Sequence, residues 1–249
     1  MSARTLLVTG ASRGIGAACA LLAASRGYAV CINYHSDAGA AEAVVAAIGQ
    51  AGGQAFAHQA DVADEASVVR MFATIDERFG RLDALINNAG ILATQMRLQQ
   101  MDAARINRIL ATNVTGSFLC AREAVARMST AQGGSGGAIV NLSSRAAVLG
   151  APNEYVDYAA SKAAVDAMTI GLSKEVAQEG IRVNGVRPGL IRTGMHASGG
   201  EPGRVDRLQG SVPMGRGGLA EEVAEAVLWL LSAQASYTTG SFIDVSGGR

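Results

Sequence analysis

Tyr158 and Lys162 stand four positions apart in a segment whose pattern predicts a long helix over 153–180. Residues with this spacing lie one turn above each other on one helix face. An ammonium beside a phenol favours the phenolate and lowers the tyrosine pKa from about 10. Such a tyrosine can exchange a proton with an alcohol or a ketone near neutral pH. The alternative is a chance Tyr/Lys pair on a solvated helix face, since such pairs are common. The other motifs of the sequence are needed to distinguish the two.

A glycine-rich turn follows the first buried run of the chain. Leu6, Leu7 and Val8 predict a strand, the letters TGASRGIG follow, and apolar residues then recur at helical spacing. At such a strand–turn–helix junction, the free N–H groups and partial positive charge of the helix N-terminus can bind a pyrophosphate. We therefore predict a dinucleotide-binding loop, the alternative being a merely structural turn. Its candidate contacts are Gly10, Ser12, Arg13, Gly14, Ile15 and Gly16.

The type of dinucleotide depends on the end of the second predicted strand, 29–33. An acidic residue about 20 positions after the glycines would bond the ribose 2′-hydroxyl. This chain instead has Asn33, Tyr34, His35 and Ser36, without a carboxylate. Arg13 could meet a 2′-phosphate, although a solvated loop charge is its alternative role. We expect NADP(H) to be preferred and NAD(H) to remain possible.

Strand-like and helical patterns alternate along the whole chain. The later strands are predicted at 53–59, 82–86, 138–142, 182–186 and 241–245, which makes about seven in all. Such alternation is typical of an α/β fold with a doubly wound parallel sheet and helices on both faces. Ligands bind at the carboxyl ends of parallel strands. Candidate contacts at those ends are Asp61, Val62, Asn88, Ala89 and Gly90; Asp61 could bond the adenine amine or cap the next helix.

Composition excludes several classes of function. The formal net charge is zero, which gives no electrostatic footprint for nucleic acid or an anionic membrane. No apolar run approaches the about 20 residues of a membrane span. The three dispersed cysteines predict buried thiols in a reducing compartment rather than disulfides or a metal site. We expect a cytoplasmic protein without a metal ion, forming a single domain over 1–249.

A G-x-S-x-G pattern occurs at 133–137. It marks a serine hydrolase when a strand precedes it and a helix follows. Here the predicted order is reversed, with a helix before and a strand after. We therefore interpret this segment as a loop and do not expect a hydrolase.

Four further features complete the set of motifs. Asn113 interrupts a helical pattern, and Ser143 and Ser144 close the fifth strand. The sixth strand leads into the segment that contains Pro188, Gly189, Ile191 and Thr193. Residues 194–218 are rich in Gly, Pro and Arg and weakly patterned, which favours a substrate lid.

Taken in order, these pieces resemble the short-chain dehydrogenase/reductase (SDR) family along the whole chain. The resemblance rests on T-G-x-x-x-G-x-G at Thr9, Asp61-Val62, Asn87-Asn88-Ala89-Gly90, Asn113, Ser144, Tyr158-x-x-x-Lys162 and Pro188-Gly189. It implies a Rossmann-type sheet, a small carbonyl or alcohol substrate, NADP(H)-dependent hydride transfer and a homotetramer. The branches it is most similar to are sugar dehydrogenases and 3-oxoacyl-carrier-protein reductases.

The resemblance also implies roles for four residues. Tyr158 would be the general acid/base, and Lys162 would lower its pKa and hold the nicotinamide ribose. Ser144 would bond the substrate oxygen, and Asn113 would hold a water of a proton relay. The cofactor contacts would include Tyr158 and Lys162 together with Pro188, Gly189, Ile191 and Thr193.

Two points of the resemblance stay open. The interval from Ser144 to Tyr158 is one residue longer than in many relatives, so Ser143 competes for the role of oxygen donor. Strand alternation allows only one of them to face the substrate, and we expect Ser144, at the strand end. A non-catalytic NADP(H)-binding sensor or a structural protein with the same fold is the alternative function.

Overall fold

The computed structural model describes residues 3–249 as one domain built on a parallel sheet. Its strands lie in the order β3-β2-β1-β4-β5-β6-β7, and every neighbouring pair is parallel. The predicted seven-stranded α/β class is confirmed. The strands are β1 (Arg4–Val8), β2 (Tyr28–Tyr34), β3 (Gln54–Gln59), β4 (Ala84–Asn87), β5 (Gly137–Leu142), β6 (Ile181–Pro188) and β7 (Phe242–Val245).

Helices connect these strands and cover both faces of the sheet. They are α1 (Gly14–Ser25), α2 (Ala38–Gln50), α3 (Glu65–Phe79), α4 (Ala103–Leu110), α5 (Gly116–Met128), α6 (Ala146–Leu149), α7 (Val156–Glu175), α8 (Met195–Ser198), α9 (Arg204–Leu208) and α10 (Ala220–Leu231). Among the described residues, no helix combines the length and apolar character needed to cross a membrane.

Alternation along β1 divides the core into two layers. Leu6 and Val8 pack with α1, α2 and α10, whereas Leu7 packs with α3 and α5 on the other face. All three side chains are fully buried, because parallel strands covered by helices on both faces have no solvated side. The three cysteines are also buried and free, as predicted, and burial raises the pKa of Cys19 to about 12.

The predicted long helix over 153–180 is shorter at both ends. It begins at Val156 because Ala151 and Asn153 have φ values of 44° and 64°, which no right-handed helix accommodates. It ends at Glu175, after which Ala177–Glu179 form one 3₁₀ turn. The segment before Tyr158 is therefore an irregular loop with a left-handed bend.

Asp61 was one candidate for capping α3, but Asp64 is the cap. The Asp64 side chain accepts from the Ser67 amide at 3.0 Å, while Asp61 accepts from the nearer Ala63 amide at 2.9 Å. Asp61 thus forms a local turn before the helix and takes no part in capping it.

The interruption predicted at Asn113 is a π-helical turn, Ala111–Thr115, between α4 and α5. A π turn places an extra residue in the helix and is often found at functional sites. The weakly patterned segment 194–218 is not structureless, since it contains α8 and α9 and a bridge from Ile191 to Gly218.

Candidate active site

The glycine turn is held at the carboxyl edge of the sheet by its neighbours. The Gly10 amide donates to Asn33 Oδ1 at 3.1 Å, and the Ala11 amide donates to the Asn33 carbonyl at 2.8 Å. On the other side, Asn88 Nδ2 donates to the carbonyl oxygens of Thr9 and Gly10 at 2.8 and 3.0 Å. The ends of β1, β2 and β4 are therefore tied together around the turn.

Two features of this turn fit a pyrophosphate. A Cβ at Gly16 would lie 2.5 Å from Asn88 Nδ2 and 2.6 Å from the Gly10 oxygen, so only glycine allows this close packing. The side chain of Arg13 at the N-cap makes no hydrogen bond to the first turn of α1. The leading amides of α1 are left to an anion, as the predicted dinucleotide loop requires.

The residues predicted to face the adenosine end gather beside this turn. His35 Nε2 lies 3.8 Å from Asp61 Oδ2, with both side chains substantially exposed. Asn33 differs, because it is buried and its Nδ2 donates to the Ala60 oxygen at 3.1 Å. Asn33 therefore shapes the glycine turn, and its side-chain amide is already hydrogen-bonded within the protein.

A cavity of about 500 Å³ opens next to the glycine turn. Its wall collects predicted residues from five separate segments: Ile15, Asn88, Ser144, Tyr158, Lys162, Pro188, Gly189, Ile191 and Thr193. The other predicted residues lie outside this wall, in neighbouring loops, in β2, at the start of α1 and in the π turn: Gly10, Ser12, Arg13, Gly14, Gly16, Asn33, Tyr34, His35, Ser36, Asp61, Val62, Ala89, Gly90 and Asn113. The size and mixed lining are typical of a small-molecule site.

Tyr158 and Lys162 both face this cavity, but the predicted direction of the tyrosine shift is wrong for this structure. Withdrawal from bulk water raises the pKa of Tyr158 to about 12, and a hydrogen bond with Ser144 opposes the rise. Lys162 Nζ lies 5.7 Å from the centre of the Tyr158 ring. The effect of burial thus outweighs that of Ser144, and Tyr158 keeps its proton at neutral pH as a hydrogen-bond donor.

Lys162 is also shifted by burial. Its pKa falls to about 8, and the negative charge of Asp166, one turn further along α7, opposes the fall. Its Nζ donates to the Leu142 oxygen at 2.6 Å. Because the amine titrates near pH 8, it is charged at neutral pH and loses that charge in mildly alkaline solution.

The two adjacent serines point in different directions. Ser143 is buried, and its hydroxyl donates to the Lys162 carbonyl at 3.3 Å. Ser144 Oγ accepts from the Ala146 amide at 3.1 Å, lines the cavity together with Tyr158 and lowers the pKa of that tyrosine. The geometry favours Ser144 as the residue that shares a substrate oxygen with Tyr158.

Comparisons with known proteins decide the family. The family model described as Enoyl-(Acyl carrier protein) reductase matches residues 10–249. A short-chain type dehydrogenase/reductase from Mycobacterium marinum superposes with a TM-score of 0.92 at 36% identity, over 99% of this chain and 95% of that one. The chain belongs to the short-chain dehydrogenase/reductase family.

Two sequence relatives show the range within this SDR family. The uncharacterized oxidoreductase YgfF of Escherichia coli K12 is 63% identical over 98% of each chain. The 3-oxoacyl-[acyl-carrier-protein] reductase of Synechocystis is 39% identical over 100% of this chain and 97% of the relative. The chain is accordingly an SDR oxidoreductase that acts on CH–OH groups, in a family that uses NAD(P)(H).

Asn113 lies behind the SDR cavity and is fully buried. Its Oδ1 accepts from the Ile91 amide at 2.8 Å, and its Nδ2 donates to the Ile91 oxygen and to Ser161 Oγ. A Cβ at Gly90 would lie 3.4 Å from both Asn113 Oδ1 and Lys162 Nζ, so both side chains lie beside Gly90. Asn113 therefore reaches the region of Lys162, with its amide already bonded to the protein.

The sequence reasoning missed a buried ion pair that supports Tyr158. Arg105 Nε donates to Asp157 Oδ2 at 2.7 Å, with side chains 7% and 2% exposed. Asp157 Oδ1 accepts from the Tyr158 amide at 2.9 Å, and Arg105 Nη1 donates to the Thr94 oxygen at 2.5 Å. No local pattern links residues 52 positions apart; the only available signal was an aspartate directly before the tyrosine.

Proposed function

We propose that this SDR is an NADP(H)-dependent enzyme that moves a hydride between nicotinamide and a carbonyl compound or secondary alcohol. The observation that carries the proposal is the meeting of Tyr158, Ser144 and Lys162 in one cavity with Ile15, from the first turn of the glycine-loop helix. A phenol beside a dinucleotide turn is what proton transfer coupled to hydride transfer requires.

Each of these side chains has a defined part in the reaction. The bound cofactor supplies or takes the hydride. The hydroxyls of Ser144 and Tyr158 hold the carbonyl oxygen and stabilise the negative charge that grows on it. Because the Tyr158 pKa is raised, the phenol is protonated at neutral pH and can give its proton to that oxygen.

Lys162 and Asn113 act from behind the tyrosine. The Lys162 ammonium attracts negative charge on the Tyr158 oxygen, so the phenolate left after proton transfer is stabilised. It would also hold the nicotinamide ribose. We propose that Asn113 positions a water on the way to Lys162. Its side-chain oxygen accepts from the Ile91 amide and its main-chain carbonyl accepts from the Ser117 hydroxyl, so the water would use the second lone pair of one of these oxygens.

The choice between the two serines has a direct test. Replacing Ser144 by Ala is expected to lower kcat by about 100-fold, because one donor to the developing oxyanion is lost. Replacing Ser143 by Ala serves as the matched control and should lower kcat by less than about tenfold, since its hydroxyl bonds only the Lys162 carbonyl. Steady-state kinetics on one accepted ketone measures both values. The reverse order would assign the role to Ser143.

NADP(H) preference is proposed from Arg13 and from the uncharged Asn33–Ser36 segment. Arg13 is exposed at the turn, where a 2′-phosphate would be within reach of its side chain. Arg13→Gln is expected to weaken NADPH binding by about 10- to 100-fold and NADH binding little. Fluorescence titration of both reduced cofactors measures this, with Arg70→Gln, on the exposed face of α3, as the control. Tighter NADH than NADPH binding in the wild type would contradict the proposal.

A non-catalytic NADP(H) sensor is the competing function. A sensor has no need for a phenol and a serine hydroxyl converging in a cavity, so the geometry favours the enzyme. The test is a panel of ketones, aldehydes and sugars with both cofactors, followed by the absorbance of reduced nicotinamide. Turnover supports the enzyme; tight cofactor binding without turnover of any compound would support the sensor.

We also propose that residues 194–218 act as the substrate lid. Met195 and His196 line the cavity, and the Tyr155 hydroxyl donates to the Gly199 oxygen at 3.2 Å. A homotetramer is proposed from apolar residues on the outer faces of α5 and α7, where Phe118 and Ile170 are 51% and 42% exposed. We expect the protein to work in the cytoplasm.

A further inference from the structure

Large apolar side chains line the catalytic cavity from two different segments. Leu149, in α6, and Met195, in α8, are partly exposed, and both belong to the cavity wall. Leu92, Pro152 and Leu190 extend the same lining. Apolar side chains that are exposed inside a concave site form a contact surface for an apolar part of a ligand.

The charged side chains beside this lining form a closed cluster, defined here as Glu154, Glu201, Arg204 and Arg207. Arg204 holds both carboxylate oxygens of Glu154, at 2.9 and 2.5 Å, and one oxygen of Glu201, at 3.2 Å. Arg207 bonds Glu201 and lies 3.7 Å from Glu154. Two positive and two negative groups cancel, so the cluster presents no net charge to the cavity.

Arg204 is the member that could otherwise attract an anion. It lines the cavity with its side chain only 10% exposed, and both terminal nitrogens of its guanidinium group pair with the Glu154 carboxylate. Hydrogen bonding to Arg204 lowers the pKa of Glu154, and the bond from Arg207 lowers that of Glu201 to about 2. Both carboxylates are ionised at neutral pH, so a substrate carboxylate would have to displace one of them and face its repulsion.

Two other cationic side chains of the wall, Arg145 and Lys162, have partners within the protein. Arg145 pairs with Asp244 and donates its Nε proton to the Arg249 carbonyl at 2.7 Å. Lys162 donates to the Leu142 oxygen. Arg249 also lines the wall, and among the described residues its side chain forms no ion pair.

We propose that the substrate is an uncharged carbonyl compound with an apolar group beside the carbonyl, and that Glu154 excludes anionic analogues by occupying Arg204. This inference rests on the proposed carbonyl reduction. Ser144 and Tyr158 hold the carbonyl oxygen of the substrate, and Leu149 and Met195 contact the apolar group beside that carbonyl. The neutral cluster offers no partner to a substrate carboxylate. Glu154 is thus a specificity-determining residue.

The test compares a keto acid with its ester. The wild type is expected to reduce ethyl acetoacetate with a kcat/KM at least about tenfold higher than acetoacetate. In Glu154→Gln, Arg204 loses its bidentate partner, and the ester-to-acid ratio should fall by about tenfold. The ratio is taken within one protein sample, so a smaller folded fraction of the variant cancels.

The control is Glu225→Gln, which removes the partner of Arg26 in an exposed ion pair between α10 and α1 and should leave the ratio unchanged. Equal or faster reduction of the acid by the wild type overturns the inference while the carbonyl reductase assignment stands. A ratio unchanged in Glu154→Gln overturns the role of Glu154. Failure to reduce any carbonyl compound with either cofactor overturns the proposed function itself, and the inference falls with it.

Discussion

Tyr158→Phe is expected to lower kcat for carbonyl reduction by about 100- to 10,000-fold while leaving cofactor binding measurable. The change removes only the hydroxyl, so the ring still fills its place in the wall. The loss arises because the variant has no proton to give to the developing alkoxide and one donor fewer to stabilise it. Initial rates at saturating substrate and a separate cofactor titration distinguish lost chemistry from lost binding.

Two further tyrosines serve as controls for this variant. Tyr155→Phe removes a hydroxyl that donates to the Gly199 oxygen in the same cavity, and its effect should be far smaller. Tyr28 is the first residue of β2 and lies at the amino-terminal edge of the sheet, away from the cavity. Tyr28→Phe should therefore leave kcat unchanged. A Tyr158→Phe protein with wild-type turnover on an accepted substrate would refute the mechanism.

Arg105→Met is expected to lower the free energy of unfolding by about 3–5 kcal/mol. It leaves the Asp157 carboxylate buried at 2% exposure without its cation. Because Asp157 also accepts from the Tyr158 amide, the variant should lower kcat as well as stability. Urea unfolding with linear extrapolation gives the stability, and kinetics on the folded protein gives kcat.

The matched control is Arg122→Met, whose ion pair with Glu65 is exposed, with side chains 51% and 63% accessible. Exposed pairs contribute about 1 kcal/mol or less, so this variant should unfold close to the wild-type midpoint. The double variant Arg105→Met/Asp157→Asn removes the stranded charge and should regain part of the lost stability. Equal losses of unfolding free energy in Arg105→Met and Arg122→Met would show that the buried Arg105–Asp157 pair stabilises the protein no more than an exposed pair does.

Most of the fold could be predicted from local patterns. Helix α2 is an example, because Asp37 caps it by accepting from the Ala40 amide and apolar residues recur along its buried side. Helix α7 was predicted too long because left-handed backbone at Asn153, although asparagine favours it, also depends on the surrounding loop. The choice of Asp64 over Asp61 as a cap likewise depends on where the third strand ends.

The site was predictable to the extent that its residues belong to short motifs. Ser144, Tyr158 and Lys162 meet as the motifs imply, because the ends of β5 and the start of α7 share one edge of the sheet. The direction of the Tyr158 shift was not predictable, since spacing gives proximity to Lys162 but says nothing about burial. The Arg105–Asp157 and Arg204–Glu154 pairs join residues about 50 positions apart, and only folding brings them together.

The order of the strands has a consequence for how the chain is built during synthesis. β1 to β4, with the glycine turn, belong to roughly the first third of the chain, and β5, β6 and β7 are then added outward at one side in the order in which they emerge. Nascent chains gain structure from the N-terminus onward. The glycine turn and the strands that hold it can therefore be assembled on the ribosome before Ser144 and Tyr158 have been translated, and β5 to β7 are then added to a sheet edge that already exists.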